Sequence, residues 1–249
     1  MDPVFIWVVL GAALGGFVQG LAGFAFGLVA LGVWAWVVPP QIAGPMVVFG
    51  SLVGQLLSVF AVRHAMELRR AMPFVIGGTI GVPLGVWVLP HIDPALFRLG
   101  VGIVLAGYCS LLLGARNFPK VERGGRLADG GAGFVGGVMG GIAGLTGPAP
   151  TLWCALRGWG KDVQRAVFQT FNIAMHALTL TGYAISGLLG THTLTMFALV
   201  APALLLPTLI GARLYRRFSD AAFRRLLLGL LALSGIALTI SALGEIGAG

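Results

Sequence analysis

The stretch GGVMGGIAGLTGPAP, residues 136–150, has a counterpart in GGFVQGLAGFAFG, residues 15–27. Each stretch lies inside a long uncharged apolar segment and contains a Gly-x-Ala-Gly pattern, at 20–23 and at 141–144. Glycine weakens a helix by about 1 kcal/mol relative to alanine, so this repeated use needs a reason. Small residues let helices pack closely in lipid, and a helix can break where its backbone lines a cavity. The duplication favours broken helices, with close packing as the alternative.

The composition is that of a membrane protein. Of the 249 residues, 57% are hydrophobic and 10% are charged, whereas soluble domains average about 25% charged residues. The apolar runs are continuous and about 20 residues long, which suits membrane-spanning helices and lacks the alternation of a β-barrel. The net charge of +8 is expected in cytoplasmic loops rather than in a nucleic-acid interface. The sequence therefore predicts an all-α polytopic membrane protein.

The apolar segments divide into two similar halves. Eight are predicted, at 4–37, 42–62, 73–90, 98–115, 131–156, 167–188, 194–212 and 223–243. The hydrophilic stretch 116–130 is the predicted cytoplasmic linker between membrane repeat 1 (1–115) and membrane repeat 2 (131–249). A shift of 121 residues places Gly20 on Gly141, and a shift of 126 places Phe97-Arg98 on Phe223-Arg224. Duplication of this kind is typical of secondary transporters.

Loop charges predict how the halves cross the membrane. If all eight segments cross, seven Lys and Arg residues lie on one side and nine on the other, against the positive-inside bias. If 4–37 and 131–156 are re-entrant hairpins, every Lys and Arg except Arg98 lies on one side. Each repeat is then a glycine-rich hairpin followed by three transmembrane helices, the repeats are inverted, and both termini are periplasmic. The competing view makes Arg157 and Lys161 substrate groups at the entrance of the pathway, which weakens this count.

Polar uncharged side chains and the glycine clusters form the candidate substrate site. Gln169, Asn172 and His176 share one helix face by their i, i+3, i+7 spacing, and the 121 shift places Ser51 on Asn172 and Gln55 on His176. The alternative is that these groups only join helices by hydrogen bonds. The predicted substrate-binding residues are Gly20, Gly23, Ser51, Gln55, Gly141, Gly144, Thr146, Gly147, Gln169, Asn172 and His176.

Such a site favours a small anion. A broken helix offers free N–H groups and the positive end of its dipole, and the apolar segments contain almost no acidic residue that could neutralise a cation. His176 is a candidate carrier of a coupling proton, because histidine titrates near physiological pH, and the alternative is that it is a neutral hydrogen-bonding group. No metal site, cofactor or catalytic residue is predicted, and the oligomeric state stays open.

The two glycine motifs resemble those of the sulfite exporter (TauE/SafE) family. The match rests on 15–27 and 136–150, with RGWGKDVQRAVFQTFNIA at 157–174 similar to the segment that follows the second motif. The resemblance covers nearly the whole chain and implies transport of sulfite, thiosulfate, sulfoacetate or another organosulfonate across the bacterial inner membrane. Because the bulky Phe24 and Phe26 follow the first glycine pair, we expect the second hairpin to provide most of the binding.

These observations predict a secondary transporter, with export as the expected direction. The alternative is an anion channel or a carrier for a non-sulfur small solute on the same scaffold. An intramembrane protease is disfavoured because the chain has neither a Gly-x-Ser-Gly motif nor two intramembrane aspartates. The Walker pattern that binds ATP phosphates is also absent. The chain is therefore not predicted to be an enzyme.

Overall fold

The computed structural model describes residues 3–22, 25–59, 68–114, 121, 124–215 and 221–248. All regular structure in these ranges is helical, so the prediction of an all-α membrane protein is confirmed. The helices are α1 (Pro3–Ala22), α2 (Phe26–Trp34), α3 (Pro40–Val59), α4 (Leu68–Val88) with a 3₁₀ turn at Leu89–His91, α5 (Pro94–Gly114), α6 (Gly125–Ala143), α7 (Pro148–Leu156), α8 (Lys161–Ile185), α9 (Thr191–Tyr215) and α10 (Ala221–Ala248).

Both long glycine-containing segments are broken helices. Gly144 ends α6 with a positive φ of 69°, a left-handed conformation that glycine adopts without steric cost. Proline begins α7, where its missing N–H is not needed by the helix. In the first segment, Ala25 precedes α2 with a φ of 87°, while Gly23 and Phe24 lie outside the described residues. Each break is followed by a nine-residue helix.

Six helices in the described ranges are long and apolar enough to cross a membrane, namely α1, α3, α4, α5, α9 and α10. Helix α1 has 20 residues and is about 30 Å long, so the first hairpin has one full-length arm and one short arm. Helix α8 is missing from the six although it has 25 residues. Its polar face, which includes Gln169, Asn172 and His176, lowers its mean hydropathy.

The first helix of each half packs on a helix of the other half. Helix α1 runs beside α9, and α6 runs beside α4, with glycines at the closest approach. A methyl group on Gly20 would overlap the carbonyl oxygen of Thr208, and one on Gly141 would lie 2.6 Å from that of Val82. The 121 and 126 shifts carry the first pair onto the second. Two further close approaches follow these shifts: Gly16 with Leu204 matches Gly137 with Gly78, and Gly211 with Phe17 matches Gly85 with Val138.

Helix α3 contacts both hairpins in a defined order. Near its start, a Cβ on Gly44 would lie 3.0 Å from the carbonyl oxygen of Ile142, at the end of α6. Near its end, a Cβ on Gly54 would lie 2.8 Å from Cγ of Gln19, at the end of α1. The two hairpins thus approach α3 from its opposite ends.

The two breaks meet beside the middle of α3. A Cβ on Gly27, in the first turn of α2, would lie 2.9 Å from Cγ1 of Val47 and 3.5 Å from the carbonyl oxygen of Gly144. Helix α2 is held from two sides: Trp34 Nε1 donates a 3.2 Å hydrogen bond to the Val8 carbonyl of α1, and Ser234 Oγ of α10 donates a 3.0 Å bond to the Gly32 carbonyl. The breaks are therefore positioned against each other.

The first helix of the second hairpin begins inside the predicted linker. Helix α6 begins at Gly125, so the last residues of 116–130 belong to the second hairpin. Among them, Asp129 is buried and accepts a 2.7 Å hydrogen bond from Trp153 Nε1 of α7. Apart from Val121, positions 116–123 lie outside the described residues, and the division into repeats 1–115 and 131–249 stays a prediction.

Candidate functional site

A cavity of about 30 Å³ lies between the two helix breaks. Its lining comes from α1, α2, α3, α5, both break regions, the start of α7 and α8, so residues far apart in sequence converge on it. It is lined by Gln19, Ala25, Phe26, Gly27, Leu28, Ser51, Gln55, Tyr108, Gly144, Leu145, Thr146, Gly147, Pro148, Asn172 and His176. None of these described lining residues is an Asp, Glu, Lys or Arg.

One wall of the cavity is a hydrogen-bond network between the second break and α8. Thr146 Oγ1 donates a 2.8 Å hydrogen bond to Asn172 Oδ1. His176 Nε2 lies 3.2 Å from the carbonyl oxygen of Gly144 and 3.4 Å from Thr146 Oγ1. All three side chains are almost completely buried. The network ties the irregular backbone of the break to a continuous helix.

Donor and acceptor chemistry fixes the orientation of this network. The Gly144 carbonyl can only accept, so His176 Nε2 must carry the hydrogen. The same N–H also faces Thr146 Oγ1, which leaves the threonine hydroxyl to donate to Asn172 Oδ1. Asn172 therefore turns its NH₂ group away from the threonine. The amide lies beside Gly147, where a Cβ would be 3.7 Å from Nδ2 and 3.9 Å from Oδ1.

Gln19 provides the corresponding polar group on the first hairpin. Its Oε1 accepts a 3.1 Å hydrogen bond from the backbone N–H of Phe26, the first residue of α2. Gln19 is 1% exposed, and within the described part of the chain its Nε2 has no hydrogen-bond partner. A buried donor without a partner is costly, about 1–3 kcal/mol. It is therefore a group that a ligand would satisfy.

The two short helices differ as anion sites. Helix α2 begins Phe26-Gly27-Leu28, so the first-turn amides of Gly27 and Leu28 remain as donors next to the cavity. Helix α7 begins Pro148-Ala149-Pro150, and both prolines lack an N–H. The second break contributes side-chain donors, whereas the first contributes backbone donors and Gln19.

The structure brings most of the predicted site residues together. Seven of them line the cavity: Ser51, Gln55, Gly144, Thr146, Gly147, Asn172 and His176. Gly20 and Gly141 instead make the close helix contacts with α9 and α4, which was the alternative reading of the motif. Gln169 is buried in α8 but does not line the cavity. Gly23 lies outside the described residues.

The predicted entrance residues lie away from the cavity, beyond the end of α7. Arg157 Nε is 3.7 Å from Asp129 Oδ1, and the guanidinium lies 5.7 Å from the centre of the Trp159 ring. Arg70 lies at the same distance from that ring. The backbone of Lys161 begins α8. A role for Arg157 and Lys161 at an entrance stays a prediction.

Several lining residues were not predicted from the sequence. Gln19 had a usable signal, because it is the one polar side chain in Pro3–Ala22. Tyr108 of α5 had none, since α5 carries no motif. The apolar lining residues Phe26, Leu28, Leu145 and Pro148 also became visible only from the position of the breaks.

The fold and the site define a class: a multi-pass α-helical membrane protein whose uncharged cavity lies between two helix breaks. The profile of the family described as "Sulfite exporter TauE/SafE" matches residues 8–238, nearly the whole chain. The chain belongs to this family, so the resemblance noted from the glycine motifs is confirmed.

A curated relative is similar over almost the full length. It is the "Probable sulfite/organosulfonate exporter TauE" of Cupriavidus necator, 26% identical over 242 residues that cover 94% of this chain and 93% of the relative. No solved structure matches the chain.

Proposed function

We propose that this protein is a secondary transporter that exports a small sulfur-containing oxyanion across the bacterial inner membrane. The substrates considered are sulfite, thiosulfate, sulfoacetate and other organosulfonates. The observation that carries the proposal is the cavity between the two breaks, which combines hydrogen-bond donors with an uncharged lining. The names of the family and of the relative support a sulfur-containing anion as the substrate and export as the direction of transport.

The donors favour an anion over a cation. The amides of Gly27 and Leu28, the NH₂ of Asn172 and Nε2 of Gln19 are N–H donors around the cavity. No acidic side chain among the described lining residues is present to neutralise a metal ion or Na⁺. Hydrogen bonds to an ionised acceptor are roughly twice as strong as neutral ones. An oxyanion would therefore gain more from this lining than a neutral solute.

The size of the cavity favours the smallest candidates. A volume of about 30 Å³ holds roughly two water-sized groups. Sulfite, with four non-hydrogen atoms, needs a small expansion, whereas sulfoacetate adds a carbon and a carboxylate and needs a much larger one. We therefore rank sulfite and thiosulfate before the larger sulfonates.

We also propose that the halves are inverted in the membrane, with both termini periplasmic. The loop charges support this arrangement. The approach of the hairpins to opposite ends of α3 also supports it. In this arrangement the cavity lies near the midplane, where inverted-repeat transporters bind substrate.

Flux measurements test the function. The purified protein in liposomes should move sulfite or thiosulfate faster than protein-free liposomes do, with saturation as the substrate concentration rises. Sulfate, phosphate, chloride and an uncharged sugar complete the panel. Transport of another solute class without any sulfur anion would overturn the proposal. Flux that does not saturate would favour the channel alternative.

A further inference from the structure

We infer that Gln19 is a substrate-binding residue and that Gln19 and Asn172 form a two-sided amide clamp for the oxyanion. The clamp is defined as the NH₂ groups of these two side chains, one from each half of the chain. The inference rests on the proposed function and names two residues that hold its substrate. Gln19 is placed in this role by its hydrogen bond, its burial and its position in the cavity lining.

The orientation of Gln19 is determined by its partner. The backbone N–H of Phe26 can only donate, so the atom 3.1 Å away must be the carbonyl oxygen of the Gln19 amide. The NH₂ group then occupies the other branch of the side chain. It lies beside Gly54, where a Cβ would be 3.2 Å from Nε2. Gln19 thus caps α2 with one atom and offers an unused donor with the other.

Asn172 is oriented by independent contacts. The network of His176, Thr146 and the Gly144 carbonyl directs its oxygen to the threonine hydroxyl. Its amide lies beside Gly147, and both residues line the cavity. Each half of the chain therefore supplies one carboxamide with its oxygen already bonded and its N–H groups directed elsewhere.

The clamp does not follow the internal repeat. The 121 shift places Gln19 on Gly140 and Asn172 on Ser51, so neither clamp residue has an equivalent carboxamide. The site is therefore asymmetric although the surrounding helix contacts repeat. Two neutral NH₂ groups suit a ligand that has acceptor oxygens on different sides, as sulfite and thiosulfate have. A halide could satisfy the donors but offers no directional acceptors.

The substitution Gln19→Glu tests the NH₂ group of the clamp separately from the hydrogen bond that caps α2. Glutamate keeps an oxygen for the Phe26 N–H but replaces the NH₂ group with an oxygen that repels an anion when ionised. The affinity for thiosulfate, which stays fully ionised between pH 5.5 and 8.5, is measured by calorimetry on the purified full chain. At pH 8.5 we expect Gln19→Glu to bind at least about tenfold more weakly than the wild type. At pH 5.5, which is closer to the ordinary glutamate pKa of about 4.3, a larger fraction of the side chains is protonated, so the difference should shrink.

If Gln19 only caps α2, Gln19→Glu should bind thiosulfate as tightly as the wild type, because the hydrogen bond to the Phe26 N–H survives in this variant. Equal affinity of Gln19→Glu and the wild type at both pH values would overturn the clamp. His176 and Tyr108 are the titratable side chains among the described lining residues. Both are present in the two proteins, so a changed pH profile reports on position 19.

A second variant does not change Gln19 itself. In Gly54→Ala the new methyl group would lie 2.8 Å from Gln19 Cγ and 3.2 Å from Nε2, so the flexible side chain must move. We expect weaker thiosulfate binding again, and unchanged binding would contradict the clamp. Thr179→Val is the matched control, because Thr179 Oγ1 is buried without a partner among the described residues but lies outside the cavity lining.

The outcomes separate the two proposals. If the wild type binds phosphate or another anion but no sulfur anion, the proposed function fails, and the same variants test the clamp with the anion that binds. If the wild type binds thiosulfate and both variants bind it equally well, the clamp fails and the function stands. Binding of none of the tested anions would overturn both.

Discussion

The Thr146 hydroxyl determines the orientation of its neighbours. It faces the His176 N–H and donates to the Asn172 oxygen, so its loss would free the Asn172 amide to rotate. A buried group of this kind acts mainly by positioning others, because a network left half satisfied is worse than an apolar contact. At the scale of single residues, the site therefore depends on side chains that do not all touch the substrate.

The variant Thr146→Val tests this positioning. Valine has nearly the same shape but no hydroxyl, and a lost buried hydrogen bond costs about 1–3 kcal/mol. We expect sulfite flux in liposomes to fall by at least about tenfold, with the helical circular dichroism spectrum unchanged. Thr181→Val, on the exposed face of α8, should transport like the wild type. Normal flux in Thr146→Val would remove Thr146 from the site.

Tyr183 offers a prediction about stability. Its hydroxyl donates a 2.7 Å hydrogen bond to the carbonyl of Gly141, next to the second break. Tyr183→Phe leaves that carbonyl without its donor, so the free energy of unfolding should fall by about 1–2 kcal/mol. Denaturant unfolding in detergent measures this change. An unchanged midpoint would show that the bond contributes nothing.

Single residues of the site could be predicted only in part from the sequence. Asn172 and His176 stood out because polar side chains are rare in apolar helices and share a face there. Gln19 is equally rare in its helix, but the internal repeat does not mark it, because the 121 shift places it on Gly140. Tyr108 could not be found, because nothing local indicates that α5 reaches the cavity.

Glycines in and next to α6 have two different structural roles. Those facing α4 allow backbones to touch, as at Gly141, whose Cα lies in van der Waals reach of Gly85. Gly144 ends the helix with a positive φ. Others have no neighbour nearby: a Cβ on Gly131 would meet nothing within 4 Å. The helix as a unit therefore contains positions that can be compared directly.

The pair Gly141→Ala and Gly131→Ala makes that comparison. At Gly141 the methyl group would lie 2.6 Å from the Val82 carbonyl oxygen, so overpacking should cost about 1–3 kcal/mol. At Gly131 the same change should be neutral or stabilise the helix by up to about 1 kcal/mol. Thermal unfolding in detergent measures both. Equal effects at the two positions would contradict the close packing of α4 and α6.

At the scale of elements, the sequence predicted which segments are helical better than the residues at which the helices begin and end. The break in the first glycine-rich segment, 4–37, followed from length, because a helix of about 51 Å exceeds a hydrocarbon core of about 30 Å. The start of α6 at Gly125 was missed, since the charged residues around it resemble a linker. Asp129 is nevertheless buried, because Trp153 and Arg157 supply partners that only the fold brings near.

The proposed topology is a property of the whole molecule. Single cysteines at Phe118 and Gly160 are introduced after replacement of Cys109 and Cys154. Position 118 probes the linker between the halves, and position 160 probes the loop after the second hairpin. In the inverted arrangement both are cytoplasmic, so a membrane-impermeant thiol reagent should label neither in intact spheroplasts and both after permeabilisation. Labelling of only one in intact spheroplasts would rule out the re-entrant arrangement.

Partner choice between helices could not be predicted from the sequence. The glycine spacing showed that α1 and α6 pack closely against something, but spacing carries no information about which helix lies opposite. The structure pairs each with the other half's helix, α1 with α9 and α6 with α4. Such pairings are decided by the shape of the whole bundle, which no local pattern encodes.

The pairing of helices from different halves also determines when each helix contact can form during synthesis at the ribosome. Gly137 meets Gly78, a residue already made about 59 positions earlier, so α6 finds its neighbour soon after it emerges. Gly16 meets Leu204, about 188 positions later in the chain. At about 5–20 residues per second, α1 waits roughly 10–40 s for α9. During that interval the glycine face of α1 lies against lipid or the insertion machinery instead of against α9.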